Sequence, residues 1–230
     1  MRHNIGQQIK TEVRVGRLFV AALSLACAFG TIAHAQNVTP PPTPMRITPP
    51  EGHSAFLLGQ AVGTQGYVCL PTALGAPTAS WTVNPARPEA TLFYSPGAHT
   101  FQIVTHFLSP NEKPVNPTRP VPFANATWQS SFDTSRVWAA VLNDNVIVAG
   151  PGEPSCPNAG SIPCLLLETV GAKEGPTGGT LLSQTTFIQR LNTNGGSAPL
   201  DGCFTSADVG KQALVPYTAD YFFYRQDKEK

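Results

Sequence analysis

No stretch of this chain carries a sustained i, i+3, i+4, i+7 apolar stripe between helix caps, and that absence constrains the fold more than any other feature. Short runs rich in Val, Thr, Ile, Phe and Tyr take its place, at 60–70, 78–84, 90–94, 99–108, 126–130, 136–142, 145–149, 164–170, 180–192 and 215–225. Gly, Pro and Asn punctuate them, so each reads as a strand closed by a turn. Such a chain is predicted to be all-β, a single β-sandwich or barrel-like domain with under about a tenth of its residues in helix, against the usual third. Alternation is cleanest over 99–107, where His99, Phe101, Ile103 and Phe107 share one face and Gln102 and His106 the other. On that reading His99 is a strand-end residue touching the core.

The N-terminus reads as an export signal. Arg2, Lys10, Arg14 and Arg17 precede an apolar run over 18–29, and Ala33-His34-Ala35 has the small-x-small form of a cleavage site. The run is shorter than the roughly 20 apolar residues of a membrane span. A rival reading lipidates Cys27, but Ser24 stands where a lipoprotein signal carries Leu. Cleavage after Ala35 predicts a secreted or periplasmic protein beginning at Gln36, with no membrane span in the mature chain. Taking four Lys/Arg and one Asp/Glu from 15 and 14 leaves 11 and 13, a net charge of −2. No basic cluster remains to attract nucleic acid. The proline-dense stretch 36–50 reads as an extended spacer, and 51–230 as one domain.

Export agrees with the cysteines. Without Cys27 the chain keeps Cys69, Cys156, Cys164 and Cys203, an even set that predicts two disulfides with three possible pairings. Cys156–Cys164 closes a short loop rich in turn residues, and Cys69–Cys203 then ties the early strands to the end of the chain. No ligand spacing suits a metal site.

The segment 185–203, TTFIQRLNTNGGSAPLDGC, reads as a strand, a glycine turn and a return to Cys203. Asn194, Gly195 and Gly196 can supply the positive φ angles of a reversal. A phosphate or dinucleotide loop would open a helix at this point, and Ser197, Ala198 and Pro199 do not. No cofactor is implied.

The same segment carries a family resemblance. FIQRLNTNGGSAP at 187–199, Cys203 and VPYTADYFFYR at 215–225 resemble the C-terminal block of the exported family catalogued as domain of unknown function 3455. The upstream order agrees: GYVC at 66–69, Trp81, Glu89-Ala90, Thr105-His106-Phe107, Ala126-Thr127-Trp128, Asp133, Ser135 and Ile162-Pro163. The resemblance spans about 50–225 and brings no activity with it. Two departures stand out. A proline-rich insertion at 108–125 separates His106 from Trp128, which bears on whether those two keep their mutual geometry. Cys164 stands where the family has Trp, alongside the extra Cys156, which fits a local Cys156–Cys164 bridge.

Nucleophile elbows, zinc-protease helices, phosphate loops and free mature cysteines are all missing. Candidate acid–base residues are His106, Asp133 and Asp220. Candidate binding residues are Trp128, Arg190, Asn192, Tyr217 and Tyr221, where aromatic faces lie beside polar groups. Arg190 and Asp220 also read as a salt bridge between neighbouring strands, because a lone charge inside an apolar strand is costly. The expected function is non-catalytic binding of a small molecule, glycan or surface. The alternative is a secreted hydrolase acting on a glycan or small ester through Asp and His.

Overall fold

The computed structural model describes residues 38–115, 125–147, 154–156 and 159–228, without the side chains of 84–88 and 142–147. The leader expected over 1–35, its cleavage site, residues 116–124 of the insertion and the end of the expected strand at 145–149 lie outside the described residues.

The described residues form eight strands: β1 (His53–Pro71), β2 (Ala79–Tyr94), β3 (Phe101–Ser109), β4 (Asn125–Ser130), β5 (Arg136–Ile147), β6 (Cys164–Lys173), β7 (Phe187–Gly195) and β8 (Gln212–Gln226). Each pairs antiparallel with the next, and β8 returns to β1, so the sheet closes into a barrel. The described helix is two single 3-10 turns, Met45–Ile47 and Ser206–Asp208. The all-β expectation is met, in its barrel form. Closure leaves no sheet edge to protect.

The strands are fewer and longer than the sequence suggests. Runs expected at 78–84 and 90–94 are one strand, because the proline-bearing stretch between them falls where the β1–β2 register slips between Gln65 and Tyr67. Such irregularities are where proline is tolerated in a sheet. The runs at 136–142 and 145–147 likewise join across a slip between Val141 and Val146. Conversely, 180–186 is loop, and β7 starts only at Phe187.

A bulge also corrects the face assignment of β3. Leu92 pairs with Val104 but Phe93 with Gln102, so Ile103 is the extra residue. Ile103 and Val104 are both buried, and alternation is inverted beyond them: His106 turns inward while Phe101, on the expected core face, is 51% exposed. His99 sits in the turn before β3, exposed, rather than against the core.

The strand ends define two poles. At one, the β4–β5 turn and the β6–β7 connection close the barrel. Asp133 Oδ1 accepts from Ser135 N and Oγ, its Oδ2 accepts from Leu181 N, and fully buried Leu182 plugs the core. The opposite pole carries the long β1–β2 hairpin and the β7–β8 connection, joined by Cys69–Cys203, and the segment before β6, held by Cys156–Cys164. Both pairings are those expected. The glycine turn is also as read, with φ of +75° at Gly195 and +85° at Gly196. Gly63 is required for another reason: a Cβ there would sit 2.1 Å from Glu89 O, so only glycine lets β1 bend this tightly against β2.

The proline-dense stretch is not a free spacer over its described part. Residues 38–50 lie across the outside of β6, β7 and β8, where Ile47 is fully buried among Cys156, Leu166, Leu191 and Phe222. Gln189, turned outward from the barrel and buried beneath this strap, donates to Ile47 O at 2.5 Å and accepts from Tyr224 Oη at 2.6 Å. Ile47→Ala should therefore cost about 2–5 kcal/mol in urea unfolding, as for other buried aliphatic truncations. Met45→Ala, at a 91% exposed side chain, should stay within about 0.5 kcal/mol. Equal, negligible effects would show the strap undocked.

Candidate functional site

Directly paired residues in an antiparallel sheet share a face, so the register shows what the barrel encloses. One row runs Gly63, Ala90, His106, Trp128, Val137 across β1 to β5. Gly63 also pairs with Tyr217, and Gly59 with Tyr221, which pairs in turn with Arg190 and through it with Leu165. All of these face inward. The half of the lumen towards the disulfide-bearing pole thus holds an imidazole, an indole, two phenols and a guanidinium within an aliphatic wall.

The aromatic groups contact one another. His106 stacks on Trp128 with ring centroids 4.2 Å apart and planes 9° from parallel. Tyr221 tilts against both, at 5.8 Å from His106 and 5.9 Å from Trp128. Its hydroxyl lies 3.2 Å from that of Tyr217. Tyr67 Oη donates to Gly196 O at 2.6 Å, pinning the glycine turn to β1. The His106 and Trp128 rings stand opposite each other despite the insertion between them in sequence, because β3 and β4 pair without a slip from Val104↔Ser130 to Ser109↔Asn125.

Protonation states follow from burial. His106 is pushed down to about 4, first because burial penalises the imidazolium and also through the positive charge of Arg190, against an opposing bond to the Thr127 carbonyl. The ring is neutral at pH 7. Its Nδ1 lies 2.9 Å from Thr127 O, a pure acceptor, so Nδ1 carries the proton and Nε2 holds a lone pair. Tyr217 is raised well above the phenolic range, mainly by burial and by Tyr221. Tyr67 is raised by burial, with Arg190 opposing. Both phenols remain protonated.

Arg190 departs from expectation. Its Nε and Nη2 donate to Pro163 O at 3.0 and 2.8 Å, not to Asp220. The expected salt bridge fails on register: Asp220 pairs with Leu191, one residue away, which places it on the outer face. There its Oδ2 accepts from Asn192 Nδ2 at 2.8 Å, so Asn192 also lies outside the lumen. The ion pairs among the described residues, Arg136–Glu112, Lys173–Glu112 and Lys211–Asp208, do not include Arg190. Trp128 is 1% exposed, and its Nε1–H is buried without a partner among the described residues. An orphan donor of that kind costs about 1–3 kcal/mol.

Of the candidates read from the sequence, the lumen gathers His106, Trp128, Arg190, Tyr217 and Tyr221. Asp133 is at the far pole in a structural turn. Burial would raise its carboxyl, but hydrogen bonds from Leu181, Ser135 and Ser130 hold it below the usual range. The three acid–base candidates are therefore not brought together. Sequence reasoning passed over Tyr67, although it lies in the conspicuous GYVC stretch, and the Pro163 carbonyl, which no side-chain pattern reveals. A shallow depression of about 440 Å³ over β1–β3 also borders His106, with Thr64, Glu89, Thr91 and Thr105 as its polar lining.

Residues 50–225 match the family described as Protein of unknown function (DUF3455). Neither a curated protein nor a solved structure gives a significant match.

The buried imidazole makes a signed prediction. Its folded pKa lies below the unfolded value of about 6.5, so its contribution is complete above that pH and is lost as the unfolded chain takes up a proton below it. Stability should fall by roughly 3 kcal/mol between pH 6.5 and pH 4 on this account. His106→Phe should flatten that window in denaturant melts followed against pH. An unchanged slope in the variant would mean that His106 is not buried neutral.

Proposed function

Since the chain belongs to the DUF3455 family, whose description names no activity, we propose its function from the lumen: it is a non-catalytic binding protein that takes one small organic molecule into the polar half of the barrel. The observation that carries this reading is the convergence of His106, Trp128, Tyr217, Tyr221 and Arg190 on one enclosed region. An eight-stranded barrel has an interior that side chains can just fill or that can hold one small ligand. Apolar walls with a few convergent polar groups are the usual make-up of such sites. A packed core gains nothing from a guanidinium and an orphan indole donor.

The rival readings draw less support. A glycan platform needs an exposed aromatic face, and Trp128 and Tyr221 are both buried. Hydrolysis by paired carboxylates needs the two acids about 5–10 Å apart across a bond. Asp133 and Asp220 instead belong to a polar turn and to the outer face of β8, each held by structural hydrogen bonds.

Export is part of the proposal. It is supported by the leader pattern and by two disulfides, which persist in oxidising compartments. N-terminal sequencing of exported material should begin at Gln36, and a lipidated start at Cys27 would contradict it. Binding is read directly by nuclear magnetic resonance during a small-molecule screen. A ligand should move the indole N–H signal of Trp128 and the ring signals of His106. Ligands that shift only outer-face residues, or a screen without a binder, would contradict the lumen reading.

A further inference from the structure

The lumen has a chemical bias that narrows its occupant. Arg190 carries a permanent positive charge, and two of its five N–H groups are spent on the neutral Pro163 carbonyl. Among the described residues it has no ion-pair partner. The described ionisable groups that feel its charge do not compensate it: His106 is neutral, and Tyr67 and Tyr217 keep their protons. Among the described residues the lumen therefore holds the positive charge of Arg190, half-buried and without a matching carboxylate. The buried Trp128 Nε1–H adds a second donor without an acceptor. Both groups neighbour Tyr221, which pairs with Arg190 and lies 5.9 Å, ring to ring, from Trp128.

We propose that the ligand is a monoanionic carboxylic acid with a flat or slender apolar body, its carboxylate taken by the Arg190 fork and the Trp128 indole N–H. This rests on the reading of the lumen as the binding site. A carboxylate matches a guanidinium in planarity and spacing and accepts from it in a charge-assisted, two-pronged fashion. Its remaining lone pairs can take the indole hydrogen. A phosphate ester carries up to two charges and three acceptor oxygens, and this site offers one cation. Beside these groups the lumen wall carries the small side chains of Ala61, Ala90 and Ala219 and the aromatic faces of Trp128, Tyr217 and Tyr221. Arg190 is only half-buried, so its end of the lumen is reachable from solvent, whereas Leu182 seals the far end.

The experiment uses matched pairs, so that charge is the only variable. Hexanoate, benzoate and 2-naphthoate are each titrated beside the corresponding primary amide against the purified mature protein, by calorimetry, with inorganic phosphate as a further probe. At least one acid should bind at least tenfold tighter than its amide. Arg190→Gln should remove that preference, and Trp128→Phe, which keeps the stack with His106 but lacks the N–H, should reduce it several-fold. Wild-type protein alone decides the main point, so a variant that fails to fold does not weaken the test. Acid and amide bound equally well would overturn the carboxylate proposal while leaving a small-molecule lumen standing. Phosphate bound as tightly as the acids would overturn it in favour of a simple anion site. Binding by none of the probes would overturn both the carboxylate proposal and the lumen reading beneath it.

Discussion

The return of β8 to β1 is the contact on which everything else depends. The ladder runs from His53↔Gln226 to Val68↔Gln212 with a single slip between Ala55 and Leu57. It is the most extensive pairing in the domain, and it joins the two ends of the folded chain. Such a non-local ladder forms only after a large loop-closure entropy has been met. Cys69–Cys203 lies just beyond its upper end and reduces that cost by holding β1 to the segment preceding β8. The strap over β6–β8 works on the same neighbourhood from outside, burying Ile47 and satisfying Gln189. Closure, bridge and strap together fix which residues of β7 and β8 face inward.

Closure then turns Arg190 inward without an ion-pair partner among the described residues. Two short strand sequences, FIQRLN and YTADYFF, each carry one charge of opposite sign, and pairing the two charges would be the economical arrangement. The register separates them. Arg190 goes inward to a carbonyl, and Asp220 goes outward to Asn192. A protein selected only for stability would gain from an apolar residue at 190. A guanidinium without an ion-pair partner and an indole donor without an acceptor, both among the described residues of one lumen, are the groups on which the proposed anion site rests.

Architecture was legible because it rests on local chemistry: β-branched and aromatic runs, glycine and proline punctuation, and an even set of cysteines beyond a leader-like N-terminus. The two disulfides and the Gly195–Gly196 reversal followed from spacing and turn residues alone. Orientation was not legible, because side-chain facing has a period of two and a single bulge inverts it. That is why His106 was placed on the wrong face of β3. The same parity defeated the Arg190–Asp220 pair, since one residue of register decides whether two charges meet or point apart. Proline misled in the opposite direction: the breaks at 85–88 marked a bulge within β2, and prolines near the N-terminus marked a docked strap.

The central claim is that Arg190 and Trp128 Nε1 together form the polar anchor of an occupied lumen. A high-resolution crystal structure of the mature domain with 2-naphthoate tests it most directly. The account predicts a carboxylate within hydrogen-bond reach, about 2.7–3.1 Å, of both the Arg190 fork and the Trp128 indole nitrogen, with the ring system against the small residues of β1. The contradicting result is naphthoate seated on the outer surface while His106, Trp128 and Tyr221 keep the mutual packing described above.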